Sequence, residues 1–451
     1  MALVVTLTEA GAAGSGVSAV GGKGASLGEL ARAGVAVPPG FVVTVEAFGA
    51  AMAAIDPSGA HRASVEALGA SDLAGIAAVA ARLRALVTEA PLPDEVAAAI
   101  SSGYAALGPG SRTEGGAGTE VGAEAEGGPG AGADVAVRSS ATVEDSAEAS
   151  FAGLQDTYLG VTGAASVLGY VRRCWASLYN DESVAYRRRL GLPEAGVAMA
   201  VVVQRMVAPR AAGVMFTRSP VTGDRSVVAI EGTWGLGSAL VSGDVTPDSW
   251  VISKITGEIT GRRVSSKVKI HIPIQNGSVA SPSASAASGD AAAPAADPAA
   301  GEASSTASAA ASAAAPSELG WVTVRDTPAE LRDAPCLTDD EIRALAAVAR
   351  RVEAHYGAPQ DIEWAVLDAP FTQPSAAPDA PGASDASGAS GVPGASGASA
   401  AADAPEASAE SRVVLLQSRP ETVWAAREVG PTGTPKPRAA DHVLALFGKP
   451  M

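Results

Sequence analysis

The clearest hydrophobic pattern in the chain predicts an amphipathic helix at residues 338–356. Apolar side chains recur there at the spacing that puts them on one side of a helix, namely Ile342, Leu345, Val348 and Val352. Thr338 stands where an N-cap residue is expected. The stretch 166–190 carries a second helical stripe, and a third helix is predicted around Leu27 and Leu30, with Gly34 as its C-terminal stop.

Short apolar runs between the helical stretches predict β-strands. They lie at 41–44, 197–207, 212–217 and 227–231, and the last follows a turn-forming sequence at 220–224. Residues 361–366 alternate polar and apolar, as a strand with one buried face does. Because strands and helices are mixed without strict alternation, the pattern favours an α+β fold over a doubly wound parallel sheet.

Three segments interrupt this pattern and contain almost no large apolar residues: 108–134, 278–316 and 370–410. They contribute to an unusual composition, with 51 Gly, 30 Pro and only 4% aromatic residues. A segment that buries little apolar surface cannot offset the entropy of ordering it, so we expect three disordered or mobile insertions. The 451 residues are enough for two or three domains.

Charge and cysteine content narrow the possible functions. The formal net charge of −16 disfavours nucleic acid as a partner, because an acidic surface repels a phosphate backbone. Cys174 and Cys336 are far apart and outside any CxxC motif, so neither a zinc site nor a disulfide framework is indicated. The chain starts without the features of a signal peptide, and no apolar run approaches the roughly 20 residues of a membrane helix, which favours the cytoplasm.

Two clusters combine a basic side chain with a phosphate-binding context. Lys23 lies in the glycine-rich stretch 21–24, which opens a helix, and there backbone amides and an ammonium group favour an anion. The stretch does not match a Walker A loop, and a flexible turn before a helix is the alternative. Arg138 ends an apolar strand beside three hydroxyl side chains, a set of donors suited to phosphate oxygens. Alternatively, Arg138 pairs with Glu144 or Asp145 and the hydroxyls cap a helix.

The most informative cluster combines two predicted strands. Asp361 and Glu363 point the same way in the first, and Gln417 and Arg419 share a face of the second, at 413–420. If the strands pair, the four polar groups converge; carboxylate and amide oxygens suit Mg²⁺, and Arg419 would hold a terminal phosphate. The alternative is a solvated face with an Asp–Arg ion pair. Like charges on one face are destabilising unless a cation neutralises them, which favours the metal.

Two further stretches are compatible with a nucleotide. Residues 201–207 could connect two lobes, with their backbone near a purine and Met206 as an apolar wall, although such a run is more often only a buried strand. Residues 231–237 predict a glycine-rich turn that begins with the acid Glu231, and they do not match the dinucleotide-binding motif.

As an ordered set, these stretches resemble the N-terminal nucleotide-binding domain shared by phosphoenolpyruvate synthase, pyruvate phosphate dikinase and rifampicin phosphotransferase. The resemblance covers most of the chain apart from the insertions and the tail, and it rests on GGKGASLGEL, VPPGFVVT, VRSSATVEDSAEASFAGLQDT, QRMVAPRAAGVMFTRSPVTGD, EGTWGLGSALVSGDVTPD, DIEWAV and LLQSRPETVW. It implies a two-lobed ATP-grasp fold with a first lobe at 1–205, a second at 206–425 and a tail at 426–451.

Carried over by motif, the resemblance implies a role for each matching residue. Lys23 and Arg138 would contact the ATP phosphates, Arg419 would bind the reactive phosphates, and these three would be the catalytic residues. Glu363 and Gln417 would bind Mg²⁺, with Asp361 in support. The turn 153–157 would cover the nucleotide and 204–206 would lie near adenine, so the remaining ATP contacts would be Gly153, Gln155, Thr157, Gln204, Arg205, Met206 and Glu231.

The resemblance also implies a reaction that this chain performs only in part. In the family, a histidine on a separate swivelling domain attacks the β-phosphate of ATP and AMP leaves. The pyrophosphorylated histidine then loses its terminal phosphate to water or phosphate, and the remaining phosphoryl group passes to an acceptor. None of the four histidines, His61, His271, His355 and His442, lies in the Gly-rich, Ser/Thr-His context of a carrier.

The sequence therefore predicts the ATP-binding part of a dikinase whose histidine belongs to a partner subunit or domain. The acceptor would be a small molecule such as a phenol or pyruvate, since the layout resembles a stand-alone ATP-binding subunit like that of phenylphosphate synthase. The alternatives are a non-catalytic regulatory module that binds a nucleotide, and an ATP-binding fragment of a split phosphoenolpyruvate synthase.

Overall fold

The computed structural model describes residues 2–12, 16–108, 132–142, 145–146, 149–150, 156–273, 322–371, 408–422 and 424. The predicted insertion at 278–316, most of those at 108–134 and 370–410, and the tail at 426–451 lie outside the described residues. The described residues at the edges of two predicted insertions are packed against the fold. Ala133 is fully buried, and the N–H of Phe371 donates to the carbonyl of Ser411.

The described strands pair antiparallel in sheets, which agrees with the predicted α+β class. They are β1 (Val4–Thr6), β2 (Gly40–Val43), β3 (Val135–Ala141), β4 (Asp145–Ser146), β5 (Ala149–Ser150), β6 (Thr157–Val161), β7 (Met199–Arg205), β8 (Ala211–Phe216), β9 (Val227–Trp234), β10 (Asp248–Ser253), β11 (Ile259–Arg263), β12 (Lys269–Pro273), β13 (Val322–Asp326), β14 (Gln360–Val366) and β15 (Val413–Pro420).

The helices of the described ranges flank these sheets. They are α1 (Leu7–Ala10), α2 (Val17–Arg32), α3 (Val45–Ile55), α4 (Ala60–Glu66), α5 (Leu73–Glu89), α6 (Asp94–Ala106), α7 (Ala164–Ser177), α8 (Asp181–Leu190), α9 (Ser238–Val241), α10 (Ala329–Arg332) and α11 (Asp339–Tyr356). Two short 3-10 helices lie at Glu194–Gly196 and Ala409–Arg412. No helix in the described ranges is both long and apolar enough to span a bilayer.

The first sheet has the strand order β1-β2-β7-β3-β6 and separates two hydrophobic clusters. Alternate residues such as Val137 and Val203 belong to a cluster with residues of α3 and α5 to α8. The opposite face carries Val42 and Val202, whose cluster also contains residues of α2 and the second sheet. The two sheets therefore share one hydrophobic core, with α2 between them.

The second sheet has the order β11-β10-β9-β8-β14-β15, and α11 packs against one of its faces. The predicted N-cap is confirmed, because the Thr338 hydroxyl accepts from the N–H of Glu341 while the Glu341 carboxylate accepts from the N–H of Thr338. The core between helix and sheet includes the fully buried Trp250 and Trp364. The opposite face of the second sheet carries the polar residues described below.

Three local predictions are wrong. The stripe at 166–190 is two helices, α7 and α8, because Asn180 has an extended backbone that ends one and starts the other. The hydroxyl cluster after Arg138 continues β3 to Ala141, so Arg138 lies in the middle of a strand. Residues Glu231 to Trp234 belong to β9, and only Gly235 to Gly237 form the turn that follows.

Candidate functional site

The predicted pairing of the two polar strands is confirmed. In the antiparallel ladder between β14 and β15, Asp361 stands opposite Arg419 and Glu363 stands opposite Gln417. Arg419 Nε lies 3.5 Å from Asp361 Oδ2. We call this side of the second sheet the site face, meaning the face that carries Asp361, Glu363 and Ala365.

The site face continues across β8 and β9. Val214 is the partner of Glu363, and Glu231 is the partner of Val214 in the next strand. Neighbouring strands lie ~4.8 Å apart, so the backbones of Glu231 and Glu363 are roughly 10 Å apart on one face. Glu231 thus joins the acidic row despite its predicted place in a turn. Burial raises the pKa of the Glu231 carboxyl, and Arg263 opposes this shift.

One end of the site face is apolar. Ala212, Ala365 and Val414 are buried there, and Val207 and Leu416 pack against them. Val207 belongs to the segment 206–210, which connects β7 of the first sheet to β8 of the second. The site face therefore changes along its strands from apolar, through the row of Glu231 and Glu363, to the end that carries Asp361 and Arg419.

Arg138 reaches the site face from the first sheet. Its Nη1 donates to the carbonyl oxygen of Leu416 at 3.2 Å and lies 3.4 Å from Glu363 Oε2. The side chain is only 11% exposed, and its Nε is buried with no hydrogen-bond partner in the described part of the chain. Thr157 is the partner of Arg138 on β6, so its side chain is on the same face of the first sheet. A buried donor without an acceptor is suited to an anionic ligand.

The Leu416 carbonyl is available because β15 contains a bulge. Glu363 pairs with Gln417 but Trp364 pairs with Leu415, so Leu416 is an extra residue in the strand. The bulge leaves a carbonyl outside the ladder, where Arg138 binds it. It also places Gln417 opposite Glu363.

The glycine-rich stretch packs against the strand that carries Arg138. Gly21 has φ 68°, and a Cβ there would overlap the backbone carbonyl of Ser140. The Ser140 hydroxyl donates to the Val20 carbonyl and accepts from the N–H of Gly24. Lys23 is half-buried in this turn. Burial raises the pKa of the Cys174 thiol behind β3, and the positive charge of Lys23 opposes this shift.

Asp361 is the most strongly perturbed carboxyl of the site. Burial raises its pKa to about 6, even though Arg419 acts in the opposite direction, and Glu421 raises it further. Asp361 Oδ1 is buried with no hydrogen-bond partner among the described residues. A carboxylate oxygen without a donor is suited to a cation or to a protonated ligand.

A basic and an acidic side chain that the sequence pattern did not indicate form a pair next to Asp361. Arg218 Nη1 lies 3.6 Å from Glu421 Oε2, and its guanidinium stacks 5.4 Å from the centre of the Trp424 ring. The Trp424 indole donates to the carbonyl of Pro220. Arg218 and Glu421 both lie in quoted segments, but spacing along the chain carries no signal that segments so far apart meet.

The remaining predicted contacts fall outside this cluster or outside the described residues. Gln204 is buried, and its side-chain amide donates to the carbonyl of Pro38. The N–H of Arg205 donates to the Pro39 carbonyl, and the N–H of Met206 donates to the Asp134 carbonyl. Gly153 and Gln155 lie outside the described residues.

The three described histidines make contacts within the fold and are not among the residues of the site face described above. His355 lies 2.9 Å from Glu29, and the backbone N–H of His61 donates to Asp56. His271 is fully buried beside Ser238 and Asp244. His442 lies outside the described residues.

The side chains on β14 and β15 suit Mg²⁺, which takes few protein ligands, better than they suit a metal ion bound only by protein side chains. Within the described ranges, no group of three or more His, Cys, Asp or Glu side chains could hold a metal ion. Mg²⁺ is usually bound by one or two carboxylates, with waters and phosphate oxygens as its other ligands. Glu363, Gln417 and the free oxygen of Asp361 match that requirement.

Comparison with known proteins gives a consistent result. Residues 17–373 match the family described as "Pyruvate phosphate dikinase, AMP/ATP-binding domain". The chain is 40% identical over 372 residues to a rifampicin phosphotransferase of a Streptomyces species, covering 82% of this chain and 35% of that protein. It is 37% identical over 352 residues to a probable phosphoenolpyruvate synthase of Methanothermobacter thermautotrophicus, covering 78% of this chain and 42% of that protein.

A further relative extends the match. The phosphoenolpyruvate synthase of Aeropyrum pernix is 35% identical over 410 residues, which is 91% of this chain and 41% of that protein. The chain thus spans less than half the length of these curated relatives, between 35% and 42% of each.

Proposed function

Because the chain belongs to the family of pyruvate phosphate dikinase AMP/ATP-binding domains, we propose that it binds ATP with Mg²⁺ on the site face and supplies phosphoryl groups in a dikinase reaction. Family membership supports ATP binding. The position of the nucleotide, the role of each residue, the metal and the partner are part of the proposal.

The observation that carries the proposal is the meeting of Arg138 with Glu363 and Leu416. A guanidinium from one sheet lies against a carboxylate and a bulge carbonyl of the other, and its Nε has no acceptor. Phosphate oxygens are the natural acceptors for such a donor. A divalent cation at Glu363 would bridge that carboxylate to the same phosphates.

The change from apolar to charged residues along the site face indicates how the nucleotide would be oriented. Adenine would lie at the apolar end, near Met206 and the buried Ala212, with Gln204 and Arg205 behind it. The triphosphate would extend past Glu231 towards Asp361 and Arg419. Lys23 would approach the phosphates from the glycine turn, and Gly153, Gln155 and Thr157 would cover them.

The protein's own groups would hold the phosphates in line and neutralise them. Arg138, Arg419 and Lys23 would bind phosphate oxygens, while Glu363 and Gln417 would hold Mg²⁺ with Asp361 in support. When bound, Mg²⁺ supplies positive charge against the phosphate oxygens. Preorganised charges of this kind stabilise the transferring group without reorganisation during the reaction.

The lobes would follow the ATP-grasp arrangement. The first lobe would be 1–205, the second 206–425, and 426–451 would be a tail. The connection at 206–210 and helix α2 both link the two sheets, so relative movement of the sheets would open or close the site between Arg138 and Glu363.

The β- and γ-phosphates would leave together, as a pyrophosphoryl group, on a histidine of a partner subunit or domain. An imidazole nitrogen would attack the β-phosphorus, the bond from that phosphorus to the oxygen on the AMP side would break, and AMP would leave with that oxygen. This part of the proposal is supported by the sequence around the four histidines, none of which lies in a Gly-rich, Ser/Thr-His context, and by the side-chain contacts of His271 and His355 within the fold. The pyrophosphorylated histidine would lose its terminal phosphate to water or phosphate, and the remaining phosphoryl group would pass to a small molecule such as a phenol or pyruvate.

Calorimetry of ATP binding with and without Mg²⁺ tests the site. Glu363→Gln should weaken binding of the Mg²⁺–ATP complex by about ten- to a hundredfold, because a charged ligand to the metal is lost. It should not weaken metal-free ATP, because Arg138 loses a competing carboxylate. The matched control is Glu258→Gln, at an exposed residue directly before β11, which should change neither affinity.

Turnover tests the second half of the proposal. Mixing the chain with a histidine-bearing dikinase domain should convert ATP to AMP, and a domain with that histidine replaced by alanine should not. Tight ATP binding without AMP formation would instead support the regulatory module. Absence of any ATP binding by folded protein would contradict the proposed function itself.

A further inference from the structure

A Ser–His–Asp group lies beside the apolar end of the site face. The turn after β9 folds over that end, since a Cβ built on Gly237 would lie 3.7 Å from the Ala212 Cβ and 3.9 Å from the Gly213 nitrogen. Ser238 follows directly at the start of α9. Glu231 lies on the same side, because its partner Val214 is two residues from Ala212 on β8.

The geometry of the group is well defined. Ser238 Oγ lies 3.0 Å from His271 Nδ1, and His271 Nε2 lies 3.2 Å from Asp244 Oδ2. The His271 side chain is fully buried, Ser238 is half-buried, and Asp244 is exposed. Asp244 acts on the imidazole through its charge and through this side-chain contact.

These contacts assign the protons of His271. Burial lowers the pKa of its imidazole although Asp244 opposes this, so the ring is neutral at pH 7. A carboxylate beside Nε2 favours the N–H at that nitrogen and leaves a lone pair on Nδ1. The Ser238 hydroxyl must then donate its hydrogen to Nδ1.

A serine whose hydrogen is already donated offers only lone pairs to a ligand. It is unsuited to a phosphate oxygen, which also accepts, and suited to a hydroxyl or amino donor. The position between the apolar end of the site face and Glu231 is where the sugar of the proposed nucleotide would lie.

We propose that Ser238 accepts a hydrogen bond from a ribose hydroxyl of the bound nucleotide, with His271 and Asp244 as positioning residues. The inference rests on the proposed function, because it assumes adenine at the apolar end and phosphates at Arg138. It adds a discriminating contact: the site selects ribonucleotides over one of the deoxyribonucleotides.

Calorimetry with ATP, 2′-deoxy-ATP and 3′-deoxy-ATP in the presence of Mg²⁺ tests it. The natural chain should bind ATP about three- to tenfold more tightly than one of the two analogues, the range for one neutral hydrogen bond. Ser238→Ala should weaken ATP by the same factor and leave that analogue unchanged. Ser238→Thr keeps the hydroxyl and should restore the preference, while Ser64→Ala, at an exposed serine of α4, should change nothing.

A spectroscopic test addresses the positioning residues. Nitrogen-15 NMR should show the neutral imidazole of His271 with its proton on Nε2, and Asp244→Asn should reduce both that tautomer and the preference for ATP. Asp244 is 49% exposed, so this change does not enter the core.

The outcomes separate the two proposals. If the natural chain binds ATP tightly but also binds both analogues equally well, the ribose contact is absent while the proposed function stands. The same follows if Ser238→Ala weakens all three nucleotides by one factor. If no nucleotide binds, the proposed function fails and the ribose contact fails with it.

Discussion

At the residue scale, Asp361 is a group whose surroundings oppose its own ionisation. Its pKa is raised from 3.8 to about 6, mainly by burial. The native state therefore keeps a proton that the unfolded chain has released between these two values, and folding stability falls as pH rises through this window. Above pH 6 the nucleotide-free protein carries the full free-energy cost of an ionised, buried Asp361. Below pH 4 this cost is absent, because the carboxyl is protonated.

Asp361→Asn should therefore stabilise the nucleotide-free protein at pH 7.5, because a neutral amide replaces a buried carboxylate. The gain should be about 1–3 kcal/mol, reduced by the lost attraction to Arg419. At pH 4 the two proteins should be equally stable. Thermal unfolding at both pH values measures this, and calorimetry should show weaker Mg²⁺–ATP binding by the more stable variant.

An exposed aspartate supplies the contrast. Lys269 lowers the pKa of Asp326 through a hydrogen bond and its charge, so Asp326→Asn should not stabilise the protein at pH 7.5. Equal stabilisation by both substitutions would show that the effect of Asp361 comes from net charge and not from burial.

At the element scale, the kink within α2 depends on one glycine. Gly21 and Gly34 both have positive φ, of 68° and 76°, but a Cβ on Gly21 overlaps Ser140 whereas one on Gly34 meets nothing within 4 Å. Gly34→Ala should cost only the backbone strain, about 1 kcal/mol. Gly21→Ala should cost several times more and weaken ATP binding, because the turn that carries Lys23 must move away from β3.

Denaturant unfolding and ATP calorimetry on both glycine variants check this. Similar losses of stability in the two variants would mean that the close contact with Ser140 contributes little. An unchanged ATP affinity in folded Gly21→Ala protein would mean that the turn does not position Lys23.

The bulge in β15 gives a second prediction for an element. Deleting Leu416 would remove the extra residue and leave Leu415 and Gln417 as neighbours in a regular ladder, opposite Trp364 and Glu363. Gln417 and Arg419 would stay on the site face, but Arg138 would lose its carbonyl acceptor. ATP binding should weaken in protein that still unfolds cooperatively, because Arg138 is no longer held in place; an unchanged affinity would show that the contact with the Leu416 carbonyl does not position Arg138.

The elements and their faces could be predicted where a periodic pattern decides them. Alternation along 361–366 correctly predicted that Asp361 and Glu363 share a face, and the pairing with β15 followed. The turn predicted at 231–237 is wrong at its start because the prediction treats Gly232 as a turn residue. Gly232 lies in a strand, where only a glycine leaves room for the Trp364 ring: a Cβ there would be 2.8 Å from it. The break between α7 and α8 has no glycine or proline to mark it.

The contacts that assemble the site could not be predicted from local pattern. Arg138 meets Glu363 and Leu416 only because two sheets come together, and residues at 138 and 416 share no signal along the chain. No distinctive residue type marks the bulge at Leu416 in the sequence, because Leu416 belongs to an unbroken apolar run. The resemblance to a family predicted roles for Arg138 and Glu363, and the fold was needed to show that Arg138 meets Glu363 and Leu416.

At the scale of the whole molecule, the second sheet extends past the segment that the family model matches. That match ends at residue 373, whereas β15 begins at Val413 and completes the sheet with Gln417 and Arg419. The intervening chain therefore separates two strands that pair directly. Loop closure grows only slowly in entropic cost with length, so a long connection is compatible with this pairing.

The net charge of the whole molecule affects the rate at which ATP associates with it. The chain carries −16, yet the proposed phosphate site combines Lys23, Arg138 and Arg419. The screening length is about 30 Å at 0.01 M salt and about 8 Å at 0.15 M, so at low salt an approaching triphosphate meets the repulsion of the whole protein. At physiological salt it meets chiefly the local cations.

The association rate constant of ATP should therefore rise about two- to tenfold between 0.01 and 0.15 M salt and fall again at higher concentration, where the local attraction is also screened. Stopped-flow fluorescence measures this rate. Uncharged adenosine, as the control, should associate at a rate that does not change with salt. If the association rate constant instead fell steadily as salt was added from the lowest concentration, local cations would dominate the electric field at every distance, as in a basic protein. The rise is expected here because the attractive charges are confined to one site on a molecule whose overall charge has the same sign as its ligand.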